Sequence, residues 1–140
     1  MSVYFDASLI VAIFLEDAHN DRADAYLSGA RPTATISDFA AAEVAAVIGV
    51  RVRRGELDHA GARAAMAEFD AWRSRAAQAY SLRAGDVAAA DDLLRRLDFT
   101  LRAPDAIHLA IVSGARLQLA TFDRRMSECA EALGIETAAI

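Results

Sequence analysis

The feature that most constrains this chain is a regular alternation of short β-forming runs with longer helical stretches. VYF (3–5) is followed by the polar break DAS and then by the apolar run LIVAIFLE, which reads as a buried strand turning into a helix. A second helix is expected from about Asn20 to Leu27. TATIS (33–37) then leads into AAAEVAAVIGVRVRR, capped by Ser37 or Asp38 and stopping near Gly55. The alanine-rich stretch from Asp58 to Gln78 spaces Met66, Phe69 and Trp72 as a helix does, and AYSL (79–82) follows it as a strand. AGDVAAADDLLRRLD predicts another helix, and LRAPDAIHLAIVSG (101–114) one more, with Pro104 in its first turn. LQLATF (117–122) predicts a strand, RRMSECAEAL a helix ending at Gly134, and IETAAI (135–140) a last strand. Such alternation implies an α/β fold, with a small, mostly parallel central sheet between helical layers. With 140 residues, no long linker and no internal repeat, residues 1–140 are expected to form one domain around one core.

Composition narrows the function classes. The formal net charge of −5 argues against a protein that holds nucleic acid by global attraction, though it leaves room for a local basic track. All 15 basic residues are arginine, so no mechanism needing a lysine as Schiff base, phosphate anchor or base is available. Cys129, the single cysteine, excludes an internal disulfide, and a reducing, cytoplasmic setting is expected. LIVAIFL is too short for a membrane span and is bracketed by Asp6, Glu16 and Asp17, so no membrane association is expected.

The chemistry lies in the acids. Asp6 follows the first strand, and the carboxyl ends of parallel strands are where such sheets bind ligands. It is equally placed to cap the next helix, with Ser8 two residues on as a second capping group or a polar ligand. Glu43 shares a helical stripe with Phe39, Val47 and Val50, and an ionised carboxylate there costs several kcal/mol unless a cation or donors compensate it. At the edge of the stripe it would instead reach solvent. Asp105 sits in a first helical turn, where the macrodipole favours it, yet shares a face with Leu109 and Val112. His108 lies near enough to bond Asp105, although a lone histidine on an apolar helix is more often a core residue than a ligand. Asp123 ends the strand LQLATF and starts the last helix, with Thr121 before it. Arg124 and Arg125 follow at a helix start, where cations are disfavoured unless they meet an anion. A parallel sheet would bring these acids to one edge, where they would repel unless a cation neutralised them, and oxygen-only ligation favours Mg²⁺ or Mn²⁺.

VYFDASLIVAIF, ISDFAAAEVAAVIGVRVRRGEL, APDAIHLAIVSGARL and LATFDRRMSECAEALGI together resemble the PIN domain, and more narrowly the VapC toxins of bacterial toxin–antitoxin pairs. DAIHLA with a downstream TFD carries most of the specificity. The resemblance implies a PIN-like three-layer fold and an acidic cluster of Asp6, Glu43, Asp105 and Asp123, with Ser8 and Thr121 in accessory polar positions. It implies endonucleolytic cleavage of RNA with Mg²⁺ or Mn²⁺, in which activated water is the nucleophile. Asp6 and Asp105 are expected as direct ligands, and Glu43 and Asp123 as direct or water-mediated ones. It further implies a homodimer held inactive by a small VapB-type antitoxin, with no DNA binding by this chain itself. Arg124, Arg125 and Arg102 are the expected RNA contacts, whereas Arg51, Arg53 and Arg54 read as a solvated helix face.

Two other readings compete. A phosphatase with an aspartate nucleophile would also place an acid after a first parallel strand, but such enzymes usually keep a lysine beside the phosphoryl group. A catalytically silent PIN scaffold that only binds a partner has no need for four intact acids.

Overall fold

The computed structural model describes residues 2–140. In chain order the elements are β1 (Ser2–Phe5), α1 (Ala7–Phe14), α2 (Asn20–Ala30), β2 (Thr33–Ser37), α3 (Asp38–Arg53) and α4 (His59–Ala76). They continue with β3 (Ala77–Tyr80), α5 (Ala84–Arg95), α6 (Ala103–Ala115), β4 (Gln118–Ala120) and α7 (Arg124–Ala132). The strands form one sheet in the order β3-β2-β1-β4, with every pair parallel. Val3 pairs with Ala34 on one side and with Gln118 on the other, so β1 lies inside the sheet.

The two-residue period of the strands sorts their side chains into two cores. Val3, Phe5, Ala34, Ile36 and Ala120 pack with buried residues of α1 to α4, among them Leu9, Ile10, Val44, Ile48 and Phe69. Tyr4 and Leu119 point the other way, toward Leu109, Ile111 and Val112 of α6 and Met126 and Ala130 of α7. Helices therefore cover both faces, giving the three layers expected. On the first face Phe14 meets Phe69 at 5.5 Å and Trp72 at 5.6 Å between ring centroids, and these aromatics join α1 to α4.

Helix ends follow local chemistry. Ser37 is the cap of α3 and accepts from Ala40 N. That helix stops with Arg51 and Arg53 in its last turn, before Gly55 at φ 71°. Pro104 occupies the first turn of α6.

Three sequence expectations shift. Helix α4 ends at Ala76 and β3 runs from Ala77, two residues earlier than expected, because Ala77–Tyr80 pairs in register with Ala34–Ser37. β4 stops at Ala120, since Thr121 and Phe122 turn their polar groups toward Ser8 and Asp6. IETAAI forms no strand: only Thr137 bridges to Leu119, flanked by backbone bonds from Leu119 N to Glu136 O and from Ala138 N to Leu119 O. Ile135 packs against one core and Ile140 against the other, on opposite faces of the sheet, so the segment crosses the edge instead of running along it as a strand. Among the described residues no helix is long and apolar enough to cross a membrane.

Strand order reverses at β1: the chain moves from β1 to β2 and β3 on one side, then returns to place β4 on the other. The carboxyl ends of β1 and β4 thus flank the topological switch point, where open parallel sheets form a crevice.

Candidate active site

Asp6 is the first residue past β1 and is buried, with 3% of its surface exposed. It caps α1 by accepting from Leu9 N at 3.1 Å. Ser8 Oγ lies 2.8 and 2.9 Å from its two oxygens, and Thr121 Oγ1 donates to Oδ2 at 2.7 Å. The same hydroxyls accept in turn from the loop beyond β4: Ser8 Oγ from Phe122 N, and Thr121 Oγ1 from Asp123 N, each at 2.9 Å. Ser8 and Thr121 therefore fasten the ends of β1 and β4 around one carboxylate. Burial pushes the Asp6 carboxyl above its ordinary value, against the hydrogen bonds from Thr121, Ser8 and Leu9 and the attraction of His108.

Asp123 caps α7 through Oδ1, which accepts from Met126 N at 3.0 Å. Asp105 accepts at Oδ2 from the backbone N of Arg102, 3.1 Å away, at the start of α6. Glu43, on the second turn of α3, is held at Oε2 by His108 Nε2. Among the described residues the other oxygen of each of these three carboxylates has no protein partner. Asp123 thus caps α7 and lines the cleft at once, which a carboxylate can do because it has two oxygens.

Asp6, Glu43, Asp105 and Asp123 line one cleft of about 310 Å³, together with Ser8, His108, Arg102, Pro104 and Met126. Their elements are far apart in sequence, and the switch point brings them together. The four acids share the cleft without converging on a single point: among the described residues no three Asp, Glu, His or Cys side chains stand as a ready-made ion site. Their chemistry nevertheless fits a hard divalent cation, because the donors are oxygens and three of them present an unpaired one.

His108 does not bond Asp105, as the sequence suggested; it bonds Glu43, and its Nδ1 lies 2.8 Å from the Tyr4 hydroxyl. Tyr4 and Ser37 are cleft-supporting residues that sequence reading missed. Tyr4 looked like one more strand residue and Ser37 like an ordinary cap, and no local pattern marks a partner 104 positions away. Of the three arginines expected to meet RNA, Arg102 lines the cleft. Arg124 instead faces a separate groove with Arg22 and Phe122 and pairs with Glu128 at 2.9 Å, while Arg125 is exposed beside it without lining the cleft.

A parallel sheet with an acid-lined cleft at its switch point defines an open α/β protein, a class whose members bind ligands at the carboxyl ends of their strands. The chain belongs to the PIN domain family, whose model matches residues 3–132. No match was found among curated protein sequences. Among solved structures, the chain is similar to VapC20 of Mycobacterium tuberculosis, described as a sarcin-ricin loop cleaving toxin. The TM-score is 0.75 at 21% identity, over 99% of each chain. It is also similar to FitAcB from Neisseria gonorrhoeae, with TM-score 0.70 and 13% identity over 98% of this chain and 96% of that one. A third likeness is to VapBC2 of Rickettsia felis, solved bound to a DNA fragment from its promoter, with TM-score 0.68 and 10% identity over 99% and 98% of the two chains. At these identities the likeness is one of fold.

Proposed function

We propose that this chain is a Mg²⁺- or Mn²⁺-dependent endoribonuclease acting as the toxin of a VapBC-type toxin–antitoxin pair. The observation that carries the reading is that Asp6, Glu43, Asp105 and Asp123, drawn from four separate parts of the sequence, line a single cleft. Glu43, Asp105 and Asp123 would hold the cation through the oxygens that have no protein partner, and Asp6 through a carboxylate already fixed by three protein donors. Bound there, a divalent ion lowers the pKa of water and offsets charge that builds on a phosphodiester during hydrolysis. The chain's own part is to orient these oxygens, and Arg102 at the rim would engage an RNA phosphate with its forked donors.

The similar structures support a partner of the antitoxin kind, since one of them, from Klebsiella pneumoniae, is named as a toxin–antitoxin complex. An RNA substrate, a homodimer, cytoplasmic action by a single domain, and no DNA binding by this chain itself belong to the same proposal. The absence of lysine from the sequence disfavours the phosphatase alternative.

The test is incubation of purified chain with structured RNA. Cutting in Mg²⁺ or Mn²⁺, stopped by a chelator and abolished in Asp105→Asn and Asp6→Asn, is expected. Asparagine is the better replacement for Asp6, because alanine would strand the Ser8, Thr121 and Leu9 donors. Undiminished cleavage by both variants would falsify the assignment.

A further inference from the structure

Behind the cleft runs a closed hydrogen-bond circuit. Ser37 Oγ, at the cap of α3, lies 2.7 Å from the Tyr4 hydroxyl on β1; that hydroxyl lies 2.8 Å from His108 Nδ1 on α6. His108 Nε2 then meets Glu43, which is back on α3 about one and two-thirds turns from the cap. Tyr4 and Ser37 have no exposed surface, and His108 is 3% exposed. Its ring also packs against Phe39 with centroids 5.0 Å apart.

Counting protons gives the circuit a direction. An ionised Glu43 can only accept, so Nε2 carries the hydrogen. With Nδ1 bare, Tyr4 donates to it and Ser37 donates to Tyr4, while Ser37 accepts from Ala40 N at 2.9 Å. Every hydrogen then has an acceptor. The reverse direction, with a hydrogen on Nδ1, makes Tyr4 donate to Ser37 and leaves the Ser37 hydrogen without an acceptor among the described residues. Burial pushes the Tyr4 phenol upward, against its hydrogen bond with Ser37, which keeps it a donor.

We propose that His108 is a positioning residue, locked by Tyr4 and Ser37 as the Nε2–H tautomer, that fixes one oxygen of Glu43 and so turns the other into the cleft. The inference rests on the nuclease reading for the use of that oxygen, while the circuit stands on its own geometry. Partners that orient a metal ligand are worth about 10- to 100-fold in metal affinity.

The experiment has two arms on the full chain. Nitrogen NMR of the metal-free protein should show His108 protonated at Nε2, and Tyr4→Phe should perturb that signal. Free Mn²⁺, followed by its paramagnetic resonance, should bind His108→Leu about tenfold more weakly than wild type. His108→Gln, whose amide nitrogen can take the place of Nε2, should restore most of the affinity. Circular dichroism reports whether each variant folds, and if His108→Leu does not, His108→Gln and Tyr4→Phe still read the circuit. A hydrogen on Nδ1 in wild type, or equal Mn²⁺ affinity in folded His108→Leu, would overturn the proposal. Wild type with Nε2–H that takes up no Mn²⁺ would overturn the nuclease reading and leave the circuit supported.

Discussion

Thr121 Oγ1 donates to Asp6 Oδ2 at 2.7 Å across 115 positions of sequence, and this bond closes the carboxyl edge of the sheet over the cleft. The same Thr121 oxygen accepts from the backbone N of Asp123, so a single hydroxyl ties the carboxylate past β1 to the main chain past β4.

The burial of Asp6 makes it a source of pH-dependent instability. Its folded pKa is raised above 3.8, so the native state binds the proton more tightly than the unfolded chain. That advantage is fully present below pH 3.8 and is lost as pH rises through the raised value. Asp6→Asn, which keeps an acceptor for Leu9 N, should therefore gain stability over wild type as pH increases in the presence of chelator. Denaturant titrations of both proteins at several pH values measure the gap, and a gap that does not change with pH counts against this account.

Divalent cations should reverse that penalty. At 100 times its dissociation constant, Mn²⁺ is expected to stabilise the wild type by about 2.7 kcal/mol. Asp105→Asn retains a carbonyl acceptor for Arg102 N, so its metal-free melting temperature should match wild type while the Mn²⁺-induced rise shrinks. Scanning calorimetry with and without Mn²⁺ reads both quantities.

Arg102 and Arg124 should behave differently toward RNA. In an Asp105→Asn background, Arg102→Ala should weaken hairpin binding and reduce the slope of log affinity against log salt by roughly 0.7–1. Arg124 is paired with Glu128 and faces away from the cleft, so Arg124→Ala should leave the slope unchanged. Fluorescence anisotropy at several salt concentrations distinguishes them.

The aromatic cluster carries stability apart from the cleft. Phe69, 4% exposed and against Phe14, should cost about 3–5 kcal/mol on replacement by alanine. Urea unfolding would show it as a lower midpoint with an unaltered slope.

Much of this was written locally. The runs VYF and TATIS carry their strand identity in β-branched and aromatic residues, and Ser37, Pro104 and Gly55 mark helix ends through preferences that need no distant partner. The β3 boundary was not legible, because Ala77 and Gln78 suit a helix as well as a strand and only pairing with Ala34 and Thr35 decides between them.

By itself the amino-acid order determined the α/β alternation, the positions of the four acids and the lack of any lysine to rival them, since residue type and spacing are local properties. Only the tertiary structure decided which groups hold those acids. Hydrogen bonds act over about 3 Å whatever the separation along the chain, so the assignment of His108 to Glu43, and of Thr121 to Asp6, exists only once the strands have taken their order.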